Sequence, residues 1–300
     1  MDRLDAMSVF MTVVEQGSLS AAGRRLGMPL ATVSRKLSDL EAHLKARLLN
    51  RSTRGLTLTD SGRDYLAACK RILEDVTEAE QAAAGEFSQP RGELVVTAPL
   101  VMGRMHVLPV VAGFLAAYPD IRVRLLQGDR IAHLLDEHID LAVRVGQLPD
   151  RRLAATRIGT TRHVVCAHPD YFSAHGIPRT PDELAQHRCI TFEALDSTET
   201  WTFAVDGAQV AVPVRSALVV NTAEAAIDAA LACVGVTRVM SYQIEEWKRS
   251  GRLQTVLREF EPPAMPASLV YNAQRRLPLK LRAFLDFAAP RLRERLAPGE

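Results

Sequence analysis

Few residues in this chain could build a disulfide framework or a metal cluster. The four cysteines in its 300 residues form no C-x-x-C pair: Cys69, Cys166, Cys189 and Cys233. We expect a cytosolic chain to keep them reduced, and we expect Cys166 and Cys189 to be buried as small apolar side chains, with a redox pair of these two as the alternative. His133 and His138 would point about 140° apart on a helix, which does not suit shared metal ligation. We expect no metal and no cofactor.

The chain also lacks the short motifs of common enzyme families. It contains no Walker loop and no G-x-G-x-x-G, G-x-S-x-G or H-E-x-x-H sequence. No catalytic residue is assigned, and an enzyme with an appended nucleic-acid module is an alternative that turnover of a ligand would support. Asp2, Arg3 and Asp5 open an amphipathic helix rather than a signal peptide. We expect no run of eighteen apolar residues, no membrane partner and a cytoplasmic location.

Positive charge is concentrated in residues 18–58. This segment has eight basic and two acidic side chains, a net charge of +6, whereas the whole chain carries +2 and the remainder therefore −4. A local basic patch on an otherwise acidic protein is typical of a surface that neutralises nucleic-acid phosphates. The basic residues are Arg24, Arg25, Arg35, Lys36, Lys45, Arg47, Arg51 and Arg54.

The spacing within this segment predicts a helix-turn-helix. Ser20 can cap a short helix that ends at Gly27, and the chain turns at Pro29. One face of the next helix is apolar and the other carries small residues around one arginine, which lets a helix enter the major groove. The apolar stripe is Val33, Leu37, Leu40, Leu44 and Leu48, and the outer face is Ala31, Arg35, Ser38 and Ala42, flanked by Thr32 and Ser34.

A third helix and a hairpin complete the predicted module. Residues 48–58 alternate around a basic tip, which predicts the wing of a winged helix-turn-helix. An ordinary three-helix interaction domain is the alternative interpretation. The third helix would end at Gly17, and its apolar residues at helical spacing are Leu4, Met7, Phe10 or Met11, and Val14.

Residues 4–84 resemble a LysR-type transcriptional regulator. The resemblance rests on SLSAAGRRLG, on ATVSRKLSDLEAHLKARLLNRSTRGLTLTDSG and on the long helix that follows. It implies that the start of the second helix contacts bases and phosphates. The chain departs from the family at Pro29 and Leu30, where a Ser or Thr cap and a proline or glutamine are usual. The implied DNA contacts are Leu30, Ala31, Thr32, Ser34, Arg35 and Lys36, with Ser20, Arg51 and Arg54 holding the DNA backbone.

A long amphipathic helix is predicted over residues 59–84, capped by Thr59 or Asp60. Its apolar residues are alternately four and three apart, which predicts a coiled-coil seam between two chains. The alternative is a helix packed on its own domain, but the resemblance favours a homodimer or homotetramer. Glycine, serine and proline at residues 85–92 predict a hinge. The seam residues are Tyr65, Cys69, Ile72, Val76, Ala79 and Ala83.

The remaining residues predict a two-lobed α/β domain. Strand-like and helical runs alternate, which favours parallel sheets joined by crossover helices. The resemblance implies a periplasmic-binding-protein-like (type 2) effector domain, with lobe I at 93–161 and 267–300 and lobe II at 162–266. In fold class the chain is α/β overall, with an all-α winged helix-turn-helix domain at 1–58. The runs include strands at 93–97, 121–127, 140–145, 162–167, 210–220 and 267–271, and helices at 103–117, 131–137, 222–233 and 278–296.

Ligands of open α/β units bind where strands end and helices begin. Two such junctions lie at 97–103 and at Asn221 and Thr222, although Thr97 and Thr222 could instead merely cap their helices. The resemblance implies a small-molecule effector between the lobes, for which a small organic acid or an aromatic metabolite is the expected class. The predicted effector contacts are Thr97, Ala98, Pro99, Val101, Gly146, Phe192, Asn221, Thr222 and Thr237.

These features predict a sequence-specific transcription regulator that binds an interrupted palindrome in double-stranded DNA, with RNA polymerase as a further partner. A metabolite would reshape the cleft and shift DNA binding through the hinge. The alternative is a constitutive repressor or architectural protein with a vestigial cleft. Arg122 and Arg124 alternate with apolar residues, which predicts an exposed strand or, by the resemblance, a second dimer contact.

Overall fold

The computed structural model describes residues 2–52, 55–83, 89–129, 139–147, 152–192, 200–273 and 277–297. The chain divides between Gly92 and Glu93 into two compact units. Within the described residues, helices and a small hairpin form the first unit, and the second contains two five-stranded sheets with helices. This confirms the predicted fold class.

Four helices and a hairpin form the N-terminal unit. In chain order they are α1 (Arg3–Gln16), α2 (Leu19–Leu26), α3 (Leu30–Leu44), β1 (Leu49–Ser52), β2 (Gly55–Leu58) and α4 (Asp60–Ala83). α1 ends at Gly17 and α2 at Gly27, both in the left-handed conformation that glycine adopts without strain. β1 and β2 pair antiparallel, as the predicted wing requires.

α3 buries the predicted stripe. Val33, Leu37 and Leu40 are fully buried. Leu48 is buried too, but it lies beyond the helix, because Lys45 adopts a left-handed conformation that ends the helix after Leu44.

The buried face of α1 is rotated by part of a helical turn from the apolar stripe that the sequence predicted. Leu4 is exposed, and the predicted Met7, Met11 and Val14 pack only at the margin of the core. Because α1 contacts α2, α3 and α4, its buried face is set by three neighbours rather than by one repeating stripe. The buried residues are Ala6, Val9, Phe10 and Val13.

The first turns of α4 are part of the same core. Thr59 Oγ1 accepts the Gly62 N–H at 2.9 Å and so caps the helix. At Gly62 a Cβ would lie 2.0 Å from the Leu48 carbonyl oxygen, so only glycine allows this approach. Cys69 is fully buried and Tyr65 packs with it in the core. Cys69 therefore does not lie on a seam between two chains as predicted, whereas Tyr65 is half-buried and its place in a seam stays a prediction.

Ser18, and not the predicted Ser20, caps α2. Ser18 has an extended backbone conformation, and its Oγ accepts the Ala21 N–H at 3.4 Å. Ser20 is exposed within the first turn. The helix begins at Leu19, two residues earlier than the sequence suggested, because an extended serine supplies its acceptor immediately before the first helical residue.

The second unit contains the remaining helices and strands of the described residues. They are β3 (Gly92–Ala98), α5 (Leu100–Met102), a π-helical turn (Gly103–Val107), α6 (Leu108–Ala117), β4 (Ile121–Gln127), β5 (Leu141–Val145), β6 (Leu153–Thr161), β7 (His163–Ala167), α7 (Pro169–His175), β8 (Cys189–Phe192), β9 (Thr200–Val205), β10 (Ala208–Pro213), β11 (Ser216–Val220), α8 (Ala223–Leu231), β12 (Val236–Met240), α9 (Glu245–Arg249), β13 (Gln254–Val256), β14 (Met265–Asn272) and α10 (Leu279–Arg295). Short 3₁₀ turns lie at Pro181–Gln186, Ser241–Gln243 and Arg258–Phe260.

Each five-stranded sheet forms the centre of one lobe. Lobe I has the strand order β4-β3-β5-β14-β6, and lobe II has β11-β8-β12-β7-β13. β14 returns from lobe II to lobe I and pairs antiparallel with β5 and β6. Phe114 of α6 and Phe284 of α10 meet edge to face in the core of lobe I, with ring centroids 5.0 Å apart.

The sheets are mixed, which corrects the prediction of parallel sheets. β3 pairs parallel with β5 and β8 with β12, but β12 and β13 both pair antiparallel with β7. The predicted strand at 210–220 is two strands, β10 and β11, which belong to different sheets. The predicted helix at 131–137 lies outside the described residues. β7 and β14 run antiparallel to their neighbours. The alternation of strands and helices along the chain could not predict this, because it does not indicate the direction in which a strand enters the sheet.

One run of the described residues, Leu100–Ala117, is long and apolar enough to cross a membrane by length and composition, with a mean hydropathy of 1.7. The run contains Arg104 and His106, so it is not the uninterrupted run of eighteen apolar residues that the sequence was expected to lack. Its inward-facing residues are buried in the apolar cores of the second unit, as in a core helix of a globular protein. They are Val101, Met102, Val107, Val110, Val111 and Phe114.

Replacing Ser18 with alanine should destabilise the N-terminal unit by about 1 kcal/mol, because the Ala21 N–H loses its acceptor. Ser20→Ala is the matched control: this hydroxyl caps nothing, and alanine favours a helix, so stability should be unchanged or slightly higher. Urea unfolding followed by circular dichroism measures both. A larger loss for Ser20→Ala would contradict the assigned cap.

Candidate nucleic-acid interface and interlobe site

The outer face of α3 is open, as predicted. Ala31, Arg35, Ser38 and Ala42 are exposed, and Leu30 at the start of the helix is 50% exposed. Pro29 is the N-cap and offers no side-chain bond, but its carbonyl accepts the Thr32 N–H at 2.9 Å. The face therefore presents one long cation among small side chains, with an apolar residue at its N-terminal end.

Not every predicted DNA contact is free on this face. The Lys36 ammonium is held by Asp5 of α1 in an ion pair, so its charge is already partly neutralised within the unit. Thr32 and Ser34 are half-buried at the edges of the face, and Ser20 on α2 is exposed. No local pattern indicated Asp5 as the partner of Lys36, because the two residues are 31 positions apart along the chain.

The wing is formed by four residue pairs, with Arg51 opposite Leu56 and Ser52 opposite Gly55. The side chain of Arg51 and the whole of Arg54 lie outside the described residues. The structure therefore describes the two strands of the wing but not its predicted basic tip.

Beyond Cys69, the predicted seam residues of α4 that the structure describes are half-buried or exposed. Ile72 and Val76 are half-buried and Ala79 is exposed, while the side chain of Ala83 lies outside the described residues. Burial raises the pKa of Tyr65 to about 12 and that of Cys69 to about 11, so both groups are neutral. Full burial removes Cys69 from the predicted seam.

In lobe I, the predicted effector residues lie where β3 ends. Thr97 and Ala98 are buried in the strand, and Pro99 precedes α5. The Leu100 N–H is bound by Asp129 Oδ1 at 3.1 Å, so Thr97 does not cap this helix. Sequence reasoning missed Asp129, which follows β4 directly and therefore lies at the same edge of the sheet.

In lobe II the second predicted junction is a helix cap. Thr222 Oγ1 accepts the Ala225 N–H at 3.2 Å, which confirms the alternative interpretation of this threonine, and Asn221 beside it is exposed. Thr237 is fully buried and its hydroxyl donates to the Ile190 carbonyl at 3.1 Å. In this conformation the Thr237 hydroxyl bonds within the sheet, and its predicted role as an effector contact stays a prediction.

Two other predicted contacts are structural in this conformation. Phe192 is buried in the apolar core of lobe II. Gly146 follows β5 with a φ of 101°, a conformation that suits glycine, and its N–H donates to the Pro266 carbonyl at 2.9 Å.

The two lobes touch at the π-helical turn that follows α5. Arg104 Nε donates to Glu224 Oε1 in the first turn of α8 at 3.1 Å. Val101 and Met105 on either side pack into the apolar core of lobe II. Of these residues, only Val101 was predicted from the sequence. Arg104 could have been identified from the sequence as a candidate functional residue, because it is a cation within a largely apolar run of eighteen residues.

His106 lies in the same turn. Both of its ring nitrogens are buried without a hydrogen-bond partner among the described residues, and its ring meets Tyr242 edge to face at 5.6 Å. Burial and the nearby Arg295 lower the pKa of His106 to about 4. An unsatisfied buried nitrogen is costly unless a ligand or water binds it.

A Cys166–Cys189 redox pair does not fit the sheet. Cys166 lies on β7 and Cys189 on β8, with β12 between them. Two strand spacings are about 9.6 Å, whereas a disulfide needs Cα atoms within about 7 Å. Burial raises the pKa of both thiols to about 12. Their burial confirms the expectation that they act as small apolar residues.

A helix-turn-helix reader joined to a two-lobed α/β domain defines the class of bacterial one-component transcription regulators. The lysR family of bacterial regulatory helix-turn-helix proteins matches residues 4–63, and the LysR substrate binding domain matches residues 87–293. The chain belongs to the LysR family. It is a LysR-type transcriptional regulator with a DNA-binding domain and an effector-binding domain.

Similar proteins cover nearly the whole chain. An HTH-type transcriptional regulator of Xanthomonas campestris is 37% identical over 95% of this chain and 84% of its own length. The solved structure of CrgA, a LysR-type transcriptional regulator from Neisseria meningitidis, is 31% identical, covers 96% of this chain and 98% of that chain, and has a TM-score of 0.62. Full-length AphB of Vibrio cholerae is 28% identical with a TM-score of 0.61, over 95% and 98% of the two chains.

The stability of the second unit should fall in acid. His106 and His163 each have a pKa lowered to about 4 by burial and by a neighbouring arginine, whereas an unfolded histidine titrates near about 6.5. Because the folded pKa is the lower one, their full contribution is present above pH ~6.5 and is lost as the pH falls towards ~4.

Thermal melts between these pH values should show this loss, and His163→Gln should flatten it. His43→Gln, at an exposed site on α3, is the control and should leave the slope unchanged. An unaltered slope in His163→Gln would show that other groups cause the acid sensitivity.

Proposed function

We propose that this regulator binds a two-fold operator through α3 and the wing, and that a small acidic or aromatic molecule between the lobes controls that binding. The exposed small-residue face of α3 around Arg35 carries the first half of the proposal, because such a face can lie deep in the major groove. Arg35 would bind guanine, and Leu30 would contact a thymine methyl group.

The other DNA contacts divide into two kinds. Ala31, Thr32 and Ser34 lie at the groove edge, while Ser20, Arg51 and Arg54 would hold phosphates. Lys36 is different because Asp5 already binds it. We infer that Lys36 orients α3 on α1 and contributes less to DNA binding than a free lysine would.

Pairing of two chains would use the part of α4 that its own domain leaves uncovered. Ile72, Val76 and Ala79 follow one another at heptad spacing. A homodimer joined there would present two copies of α3, and a homotetramer would add a second contact, for which the exposed arginines of β4 at the sheet edge are the candidate.

Arg104 and Glu224 support an acidic effector. Their ion pair joins the two lobes, and Arg104 is 60% exposed, so a carboxylate could compete with Glu224 for the guanidinium. Pro99 and Asn221 lie near this contact along the chain, as do the two His106 ring nitrogens, for which the described residues offer no hydrogen-bond partner. A ligand that breaks or bridges the Arg104–Glu224 contact would favour one lobe arrangement over the other, which is the requirement for control.

The remaining assignments follow from family membership. We propose a cytoplasmic protein that acts on promoters together with RNA polymerase, catalyses no reaction and has no membrane partner. Among its relatives, one from Pseudomonas aeruginosa is named a transcriptional repressor and AaeR of Escherichia coli is named a transcriptional activator. Family membership therefore does not decide whether this regulator activates or represses transcription.

A constitutive DNA-binding protein with a vestigial cleft is the second candidate. The observation that favours it is the packing of Val101 and Met105 into lobe II, which already brings the lobes together. Unchanged stability and DNA binding across a broad panel of organic acids would support this candidate.

Arg35→Ala should weaken binding to a specific site by about 1–3 kcal/mol if Arg35 reads a base, with a smaller loss on random DNA. Arg54→Ala should weaken both alike. Lys70→Ala removes one exposed charge from α4 and is the charge-matched control. Footprinting and titration on the DNA upstream of its own gene measure the effect. Equal losses on both DNAs would make Arg35 a phosphate contact.

For the effector, an acid that raises the melting temperature of the wild type should lose this effect in Arg104→Gln. In Glu224→Gln the same acid should bind up to about fivefold more tightly, because the competing surface ion pair contributes at most about 1 kcal/mol. Arg179→Gln, at an exposed site of lobe II, is the control and should behave as wild type. An unchanged effect of the acid in Arg104→Gln, or weaker binding in Glu224→Gln, would refute direct competition at Arg104.

A further inference from the structure

Three potential metal ligands meet on lobe II, away from the contact between the lobes. They are His168, Asp170 and Cys233, and one ligand atom from each lies within 4.8 Å of the other two. His168 and Asp170 belong to the first turn of α7, whereas Cys233 follows α8.

The sheet register explains why residues 65 positions apart meet. β7 and β12 are antiparallel neighbours in which Cys166 lies opposite Thr237. Continued by two residues, this register places His168 beside Gly235, and Cys233 is two residues further back along the chain. The meeting is thus fixed by strand pairing in the centre of the sheet rather than by two loose loops.

The local backbone holds two of the three side chains. His168 Nδ1 accepts the Asp170 N–H at 3.2 Å and caps α7. Cys233 has a φ of 60° at the end of α8, and its N–H donates to the Ala230 carbonyl at 3.0 Å. Glycine is usual in this left-handed position, yet here the position carries an exposed thiol.

We propose that His168, Asp170 and Cys233 bind one divalent transition-metal ion, with zinc preferred, and that water completes a tetrahedron. Imidazole nitrogen, carboxylate oxygen and thiolate sulfur are all zinc ligands, at about 2.0–2.3 Å from the metal. Donors in such a site lie roughly 3.5 Å apart, so closure from the present separations needs shifts of about 1 Å. The thiol sulfur disfavours calcium and magnesium, which prefer oxygen ligands.

Binding changes the protonation of the site in a defined way. The Cys233 thiol releases its proton to solvent and its sulfur bonds to the metal as thiolate. If His168 binds through Nε2, the ring proton moves to Nδ1, which then no longer accepts the Asp170 N–H, so the cap of α7 is lost. If His168 binds through Nδ1, the metal replaces the helix cap.

Cobalt(II) is the appropriate first probe, because thiolate ligation gives it a sulfur-to-metal charge-transfer absorption. The other three cysteines of the chain are buried, so this absorption in the native full-length protein would report Cys233. We expect one Co²⁺ per chain with this absorption, its displacement by Zn²⁺, and slower alkylation of Cys233 when Zn²⁺ is present.

Cys233→Ser should abolish the charge-transfer absorption, and His168→Gln and Asp170→Asn should each weaken binding at least about tenfold. His43→Gln, at another exposed histidine, should bind as wild type. Circular dichroism melts will show whether each variant is folded. If His168→Gln is destabilised because α7 loses its cap, Asp170→Asn still tests the site. Absence of the absorption in the wild type, or unchanged Co²⁺ affinity in Cys233→Ser, would overturn the proposal.

Discussion

Burial of Tyr65 and Cys69 against α1 makes the first turns of α4 part of the DNA-reading core. A domain of about 60 residues buries only about 60% of the surface that its unfolded chain exposes, so a fourth helix adds much to three short ones. Thr59 and Gly62 fix the same end of α4 to Leu48, immediately before the wing. The helix proposed to pair two chains is thereby rigidly joined to the unit proposed to read DNA, and any rotation of one carries the other.

The second unit combines two firm cores with a modest contact between them. Each lobe has its own buried apolar cluster, whereas the contacts described between them are Val101 and Met105 in the core of lobe II, the His106–Tyr242 ring contact and the partly exposed Arg104–Glu224 pair. An exposed ion pair contributes at most about 1 kcal/mol. A ligand with a few kcal/mol of differential affinity can therefore change how the lobes meet without disturbing either core. Well-packed cores within the lobes and a weaker contact between them suit an effector-binding domain.

Sequence patterns predicted what depends on neighbours along the chain, and they failed where distant partners decide. Val33, Leu37 and Leu40 of the predicted α3 stripe are buried and the face around Arg35 is open, as helical periodicity indicated, whereas Leu48 lies beyond the end of the helix. Heptad spacing on α4 was real, but it could not show that α1 covers Tyr65 and Cys69. Thr237 was chosen for its hydroxyl, whose acceptor at Ile190 is 47 residues away. The Arg104–Glu224 and Lys36–Asp5 pairs, 120 and 31 residues apart, are equally invisible to local patterns.

The Lys36–Asp5 pair also changes how the basic patch should be counted. Each phosphate that a lysine or arginine neutralises releases condensed counterions, and the salt dependence of the binding constant reports their number. A lysine that already has a carboxylate partner exchanges one ion pair for another and frees a paired aspartate instead. The eight basic residues of the N-terminal segment therefore overstate the ionic-strength dependence of DNA binding. Asp5, which lies outside that segment in the sequence, belongs to its electrostatics.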